Sequence, residues 1–199
     1  MTLRLASLAL ALCLAATAQV QHKPSTPPVS RPAESAETLY RNTAFGFRYR
    51  IPYGWVERTK EMQEGNEAAK GEVLLAIFER PPQAAGETIN SAVVIAAESA
   101  VSYPGLKKAE DYLGPLTELT TSKGFKAGGD PSEVEIDTQR LVRADFSKPL
   151  NEKLTMHQST LVLLAKGQIV SFTFLADNDD AVNDLIDRLS FSALKSKAK

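Results

Sequence analysis

Any proton-transfer chemistry in this chain would have to run through His157. It is the single histidine of residues 38–199, since His22 falls in a proline-rich stretch before them. A Ser-His-Asp relay needs an imidazole that takes the proton of a hydroxyl while a carboxylate holds its other nitrogen. The chain has no Gly-x-Ser-x-Gly elbow to offer that hydroxyl. His157 falls in a strand pattern beside Met156 and Gln158, where a surface or rim position is expected. A hydrolase built on His157 therefore needs the fold to bring it a nucleophile and a carboxylate from elsewhere. Asp177, Asp179 and Asp180 have calcium-ligand chemistry, but a calcium loop counted from Asp177 puts Ala181 and Val182 where an oxygen ligand and a glycine are required. These carboxylates read as the start of a helix, where they meet its positive end. Gly128, Gly129, Asp130 and Pro131 are a turn signal, without the Lys-Ser/Thr pair and following helix of a phosphate cradle.

Cys13 is the only cysteine, and it falls in the leader described below. Disulfides, thiolate catalysis and Cys-ligated zinc are thereby excluded from the rest of the chain. No catalytic residue, cofactor or metal is expected. A candidate for contact remains. Arg48 and Arg50 share one strand face and Arg58 follows shortly, a basic patch suited to an acidic partner or lipid headgroups. Lys195, Lys197 and Lys199 end the chain, but at about 1 kcal/mol each near an anionic membrane they give only weak attachment.

The formal net charge is −1, and loss of Arg4 with the leader makes it −2. So balanced a charge gives no field for nucleic acid, and an aromatic fraction of 7% offers few platforms for stacking bases.

Residues 1–18 predict export. Arg4 supplies a positive start, residues 5–14 an apolar stretch, and Ala16, Thr17 and Ala18 an A-x-A cleavage site, so the cut falls between Ala18 and Gln19. The apolar stretch is shorter than the roughly 20 residues of a membrane span. A secreted or periplasmic protein without a transmembrane segment is expected. Lipidation at Cys13 would want a small residue before it, and Leu12 stands there. Residues 19–37 carry Pro24, Pro27, Pro28 and Pro32 without helical or strand periodicity and read as a disordered tail, either a spacer or a trimmed terminus. Residues 38–199 form one domain, large enough to bury about 70% of its unfolded surface.

Within that domain Phe45, Phe47, Tyr49 and Ile51 alternate with Gly46, Arg48 and Arg50, a strand of period two. Pro52 and Gly54 end it, so that Trp55 can fold back on the sheet. Residues 73–78 and 89–97 are apolar runs, strands expected to be covered on both faces, with loops marked by Gly65 and Asn66 and by Pro81, Pro82 and Gly86. Val134, Ile136 and Thr138 alternate with acids, and residues 141–146 continue or pair with that strand. Residues 154–165 and 168–175 form a hairpin closed by Lys166 and Gly167. Ala109, Tyr112, Leu113, Leu116 and Leu119 lie on one helical face, interrupted at Gly114 and Pro115 by a kink or a break into two helices. Ala181, Val182, Leu185, Ile186 and Leu189 stripe a terminal helix capped by Asp177 or Asn178. Strands joined by tight turns pair antiparallel, so the fold class is α+β, a layered sandwich with helices against a mostly antiparallel sheet.

The run Tyr40, Asn42, Phe45, Gly46, Phe47, Tyr49, Ile51, Pro52, Gly54 and Trp55 resembles the opening of PsbP-like domains, a superfamily that includes PsbP, DcrB and LpqN-type proteins. Their first strand runs into Pro-x-Gly-Trp. Phe172 and Phe174, the Asp-rich cap, the helix, then Leu189 and Phe191 are similar to the family's closing strand and helix. The resemblance spans residues 40–194. It implies an extracytoplasmic accessory, assembly or binding protein without catalysis, and it carries over no ligand residues. Three readings follow: an exported non-catalytic accessory protein with an envelope protein partner, a module for a small apolar ligand or lipid, and a hydrolase using His157.

Overall fold

The computed structural model describes residues 38–64, 71–81 and 88–191. The leader with its Ala18–Gln19 junction, residues 19–37, the loop residues Gly65, Asn66, Pro82 and Gly86, and Lys195, Lys197 and Lys199 lie outside the described residues.

In chain order the elements are β1 (Thr38–Asn42), β2 (Phe47–Ile51), β3 (Val56–Glu57), α1 (Thr59–Glu64), β4 (Gly71–Phe78) and β5 (Ala92–Ser99). Short 3-10 turns at Ala100–Ser102 and Ala109–Tyr112 lead into α2 (Leu113–Ser122). Then come β6 (Lys126–Ala127), β7 (Ser132–Ile136), β8 (Gln139–Pro149), β9 (Thr155–Ala165), β10 (Gln168–Ala176), α3 (Asp179–Ile186) and β11 (Leu189–Phe191). Among the described residues one antiparallel sheet runs β3-β4-β5-β10-β9-β8-β6, with β7 also on β8, and a second runs β1-β2-β11. The α+β class and the mostly antiparallel sheet are as the sequence predicts.

Local chemistry explains the elements. Lys166 and Gly167 have φ of 53° and 72°, the left-handed pair that a two-residue hairpin turn needs to match strand twist. They set the β9–β10 register from Gln168↔Ala165 to Ala176↔His157. Asn178 caps α3, its Oδ1 accepting from the Ala181 amide at 2.8 Å, with Asp179 and Asp180 in the first turn.

Several boundaries differ from the sequence reading. Phe45 and Gly46 lie in the β1–β2 turn, where Asn42 Oδ1 accepts from the Phe45 amide at 3.0 Å. Gly46, at φ 73°, supplies the turn's left-handed residue rather than a close approach inside a strand. Strand β5 begins at Ala92, not at residue 89. Just before it the Asn90 side chain takes both polar groups of Arg80's backbone, at 2.9 and 3.0 Å, as a strand partner's peptide would. Asp137, at φ 53°, turns the chain, so Thr138 belongs to the turn and β7 ends at Ile136. The expected interruption at Gly114 and Pro115 is a change from 3-10 to α-helix, with Pro115 in the first turn of α2, where an amide has no helical partner. The phase changes there, and Leu119 points to solvent at 54% exposure while Leu113, Leu116 and Thr120 are buried.

The core sits in two layers. On one face of the large sheet, Leu75, Ile77, Val93, Ile95, Leu161, Phe172 and Phe174 meet Phe47, Tyr49 and Phe191 of the small sheet and Val182 and Leu185 of α3. On the other face, Tyr112, Leu113 and Leu116 cover Val142, Ala144, Phe146, Val162 and Ile169. This cover lies over β8 and β9, so Val94 and Ala96 of β5 stay half-buried and the expected two-sided burial is partial. Trp55 is also half-buried and packs against the first layer.

Candidate functional site

The outer face of the small sheet gathers arginines. Alternation in β2 sends Phe47 and Tyr49 inward, at 1% and 0% exposure, and leaves Arg48 and Arg50 outside. The antiparallel register places Arg41 directly opposite Arg48, Leu39 opposite Arg50, and Ser190 of β11 on the other side of Arg48. Residues directly opposite in a ladder share a face, so Arg41, Arg48 and Arg50 crowd one exposed surface. Like charges in such positions repel. Among the described residues no carboxylate pairs with any of the three. Arg50 is held by one charge-assisted bond, its Nη2 donating to the Asp187 carbonyl at 3.1 Å. Nearby, Lys166 Nζ donates to the Ala44 carbonyl at the same sheet's first turn.

Arg58 is not part of this face. It sits between β3 and α1 at the far edge of the large sheet, its amide on the Ala76 carbonyl at 2.8 Å and its Nη1 on Glu61 at 3.2 Å. Arg41 takes the place expected of Arg58. The missed signal is the run Thr38, Leu39, Tyr40, Arg41, Asn42, an alternating strand ending in an Asn turn, whose hairpin pairing puts residue 41 against residue 48.

His157 has the carboxylate that a relay needs, and among the described residues no hydroxyl bonds to its ring. Its Nδ1 lies 2.7 Å from Asp179 Oδ1. Ser159 is two residues along β9 on the same face and 2% exposed. Its hydroxyl donates to Asp145 Oδ1 and accepts from Arg143 Nη2 at 3.0 Å. Arg143 in turn holds both Asp145 oxygens through Nε, at 2.8 and 3.1 Å, and Asn183 Oδ1 at 3.0 Å. The serine proton is thus committed to Asp145 and its lone pair to a guanidinium. A relay requires the opposite, a hydroxyl bonded to the imidazole. The network instead ties β8 and β9 to α3. Sequence reasoning missed it because Ser159 joins through the β8–β9 register and Asn183 through the packing of α3.

The aspartates at the start of α3 serve local ends: Asp179 pairs with His157, and Asp177 Oδ1 accepts from Asn178 Nδ2 at 2.7 Å. Among the described residues no three His, Cys, Asp or Glu side chains converge on a possible metal position. Gly128 and Gly129 lie in the turn from β6 to β7, with the Gly128 amide on the Asp145 carbonyl at 2.7 Å and no helix following.

A second cluster went unseen in the sequence. Glu98, at the end of β5, accepts from Tyr103 Oη at 2.5 Å and from Tyr112 Oη at 2.8 Å. The two rings meet edge to face at 5.1 Å. This clamp pins the 3-10 turns onto the sheet. Asp111 anchors the second turn by accepting from the Lys107 and Lys108 amides at 2.8 and 3.0 Å, and those two bonds hold its carboxyl below the usual range. Burial first, and the Glu98 carboxylate next, push the Tyr112 and Tyr103 phenols above their ordinary range. Burial does the same for Tyr49, against the opposing charges of Arg188 and Arg50. Tyr49 also donates to the Leu185 carbonyl at 3.0 Å.

A phenol that holds its proton more tightly when folded stabilises the fold below its unfolded value of about 10, and that contribution is lost as pH rises further. The urea midpoint, read by far-UV circular dichroism, is therefore expected to fall steeply above pH ~10. The fall should be smaller in Tyr112→Phe. Identical pH profiles for the two proteins would contradict this account of the clamp.

The cyanobacterial PsbP, CyanoP, of Synechocystis sp. PCC 6803 overlays with a TM-score of 0.52 at 14% identity, covering 79% of this chain and 94% of that one. The fold is PsbP-like. Two looser overlays are LpqN of Mycobacterium tuberculosis, described as involved in cell envelope biogenesis, and the Ran-binding protein Mog1p of Saccharomyces cerevisiae. LpqN has a TM-score of 0.47 at 17% identity, with 79% and 91% of the two chains covered. Mog1p has 0.45 at 9%, with 79% and 96% covered. No protein-family model and no curated protein matches the sequence. The PsbP-like fold explains the opening signature, since Pro52 and Gly54 form the turn, closed by the Trp55 amide on the Pro52 carbonyl at 3.3 Å, that seats Trp55 on the core. Among the described residues no helix is long and apolar enough to cross a membrane.

Proposed function

We propose that this chain is an exported binding protein without catalysis of its own, directed outward by residues 1–18, cut between Ala18 and Gln19, and docked to an acidic envelope protein through the arginines of its small sheet. The observation that carries the reading is the Arg41–Arg48 pair, placed directly opposite in the ladder beside Arg50 with no described carboxylate to offset them. Such a surface costs stability in the free protein and is relieved by an incoming negative charge. Guanidinium groups favour carboxylates that they can grip with two parallel bonds. A lipid surface fits less well, since three cations at about 1 kcal/mol each hold a membrane weakly. The wiring of Ser159 and His157 described above favours binding over hydrolysis, and so does the resemblance to accessory proteins.

The test is charge reversal. Arg48→Glu with Arg50→Glu should weaken binding to the partner captured from cell-envelope extract by at least about 100-fold, because each reversal replaces attraction with repulsion. Arg58→Glu should leave capture intact. Equal capture by the double variant, or loss of capture only with Arg58→Glu, would refute the docking face. The alternative of a small-ligand module has one observation in its favour, a cleft beside Trp55.

A further inference from the structure

We propose that this cleft binds a small organic cation, an ammonium group carried on a compact apolar body. The cleft, of about 440 Å³, opens between the Pro52–Trp55 turn, the end of β4, the residues leading into β5, and α3. That volume falls within the roughly 300–1,000 Å³ of small-molecule sites. Pro52, Trp55 and Ala181, all half-buried, give the cleft its apolar surface over the buried Ile89 and Leu185, and Glu79, Asp177 and Asp184 are its acidic groups. Arg188 also lines it, so among the described lining residues carboxylates outnumber guanidinium groups three to one.

Each wall selects for the same ligand. Glu79 is held in place through Oε2, which accepts from the Ser91 amide at 3.3 Å and from Ser91 Oγ at 3.0 Å. No described residue donates to its Oε1. Asp184, on the exposed side of α3, has no bonded partner among the described residues. An anion entering here would meet three carboxylates, and a neutral apolar body would strip water from them without compensation. An ammonium pairs with the carboxylates and is drawn to the indole of the chain's only tryptophan, while its apolar body packs on Pro52 and Ala181, both half-buried. None of Arg41, Arg48 and Arg50 lines the cleft, so the inference stands apart from the docking reading and each can fail alone.

Isothermal titration of the purified protein tests it with three probes: choline, N-acetyl-lysine amide, and 3,3-dimethyl-1-butanol, the uncharged analogue of choline. At least one cation should bind saturably, and the alcohol about tenfold or more weaker. Glu79→Gln with Asp184→Asn should lower the cation's affinity at least about tenfold while leaving the urea midpoint in place, and the bound cation should change Trp55 fluorescence. Tighter binding of choline assigns a free ammonium metabolite. Tighter binding of the lysine derivative assigns a side chain of a partner. Equal binding of the alcohol, an affinity untouched by the double variant, or no saturable binding of either cation would overturn the proposal.

Discussion

Phe172→Ala is expected to destabilise the protein by about 3–5 kcal/mol, a large share of the roughly 5–15 kcal/mol that holds a domain together. Phe172 is fully buried in the centre of β10. Its ring meets Phe47 edge to face at 5.1 Å and Phe191 at 6.0 Å, and those two lie 6.4 Å from each other. The three rings come from β10, β2 and β11, so this one contact joins the large sheet to the small one. Truncation loses the transfer energy of the ring, leaves a cavity between two sheets that cannot both collapse into it, and removes two aromatic pairs worth about 0.5–1.5 kcal/mol each. Urea denaturation followed by circular dichroism reads the change. A loss below about 1.5 kcal/mol would be the value of a tolerated core swap and would contradict this packing.

Gly71→Ala is the second large effect. Gly71 pairs with Glu98 across β4 and β5. A Cβ there would lie 2.6 Å from the Ala97 carbonyl oxygen and 2.6 Å from Glu98 Cγ. One of these neighbours is backbone and cannot swing away, so the strands must part or Glu98 must move. The expected cost is about 1–3 kcal/mol, typical of overpacking. A further readout follows, because Glu98 holds Tyr103 and Tyr112. A displaced carboxylate releases both phenols, and absorbance at alkaline pH should show Tyr112 ionising earlier than in the parent protein. Unchanged stability together with an unchanged tyrosine titration would contradict the close approach.

Much of this architecture is visible in single-residue patterns. The alternation around Phe47 and Tyr49, the Lys166–Gly167 turn and the Asn178 cap each depend on neighbours in sequence, and each forms as their chemistry requires. The elements that escaped notice are short. Strand β11 is three residues long and follows a helix directly, and α1 has no apolar stripe; its Thr59 and Gln63 instead take the Ala76 and Val73 amides at the sheet's edge, at 3.1 and 2.6 Å. Functional residues were legible in proportion to how local they are. Arg48 and Arg50 follow from the strand period alone. Arg41 requires the register of β1, and Arg58 was grouped with them because it is near in sequence, whereas the turn at Pro52 and Gly54 carries it to the other sheet. The arrival of Ser159 at the Arg143–Asp145 pair, and of Tyr112 at Glu98, depends on contacts that no local pattern encodes.

Site-specific crosslinking measures the arginine face most directly. A photoreactive amino acid in place of Leu39, opposite Arg50 and 36% exposed, would be activated in native envelope extract and its adducts sequenced by mass spectrometry. Adducts are expected on Asp- and Glu-rich segments of one envelope protein, lost when Arg48→Glu and Arg50→Glu are added. Adducts confined to phospholipid, or protein adducts that persist after both reversals, would contradict docking through this face.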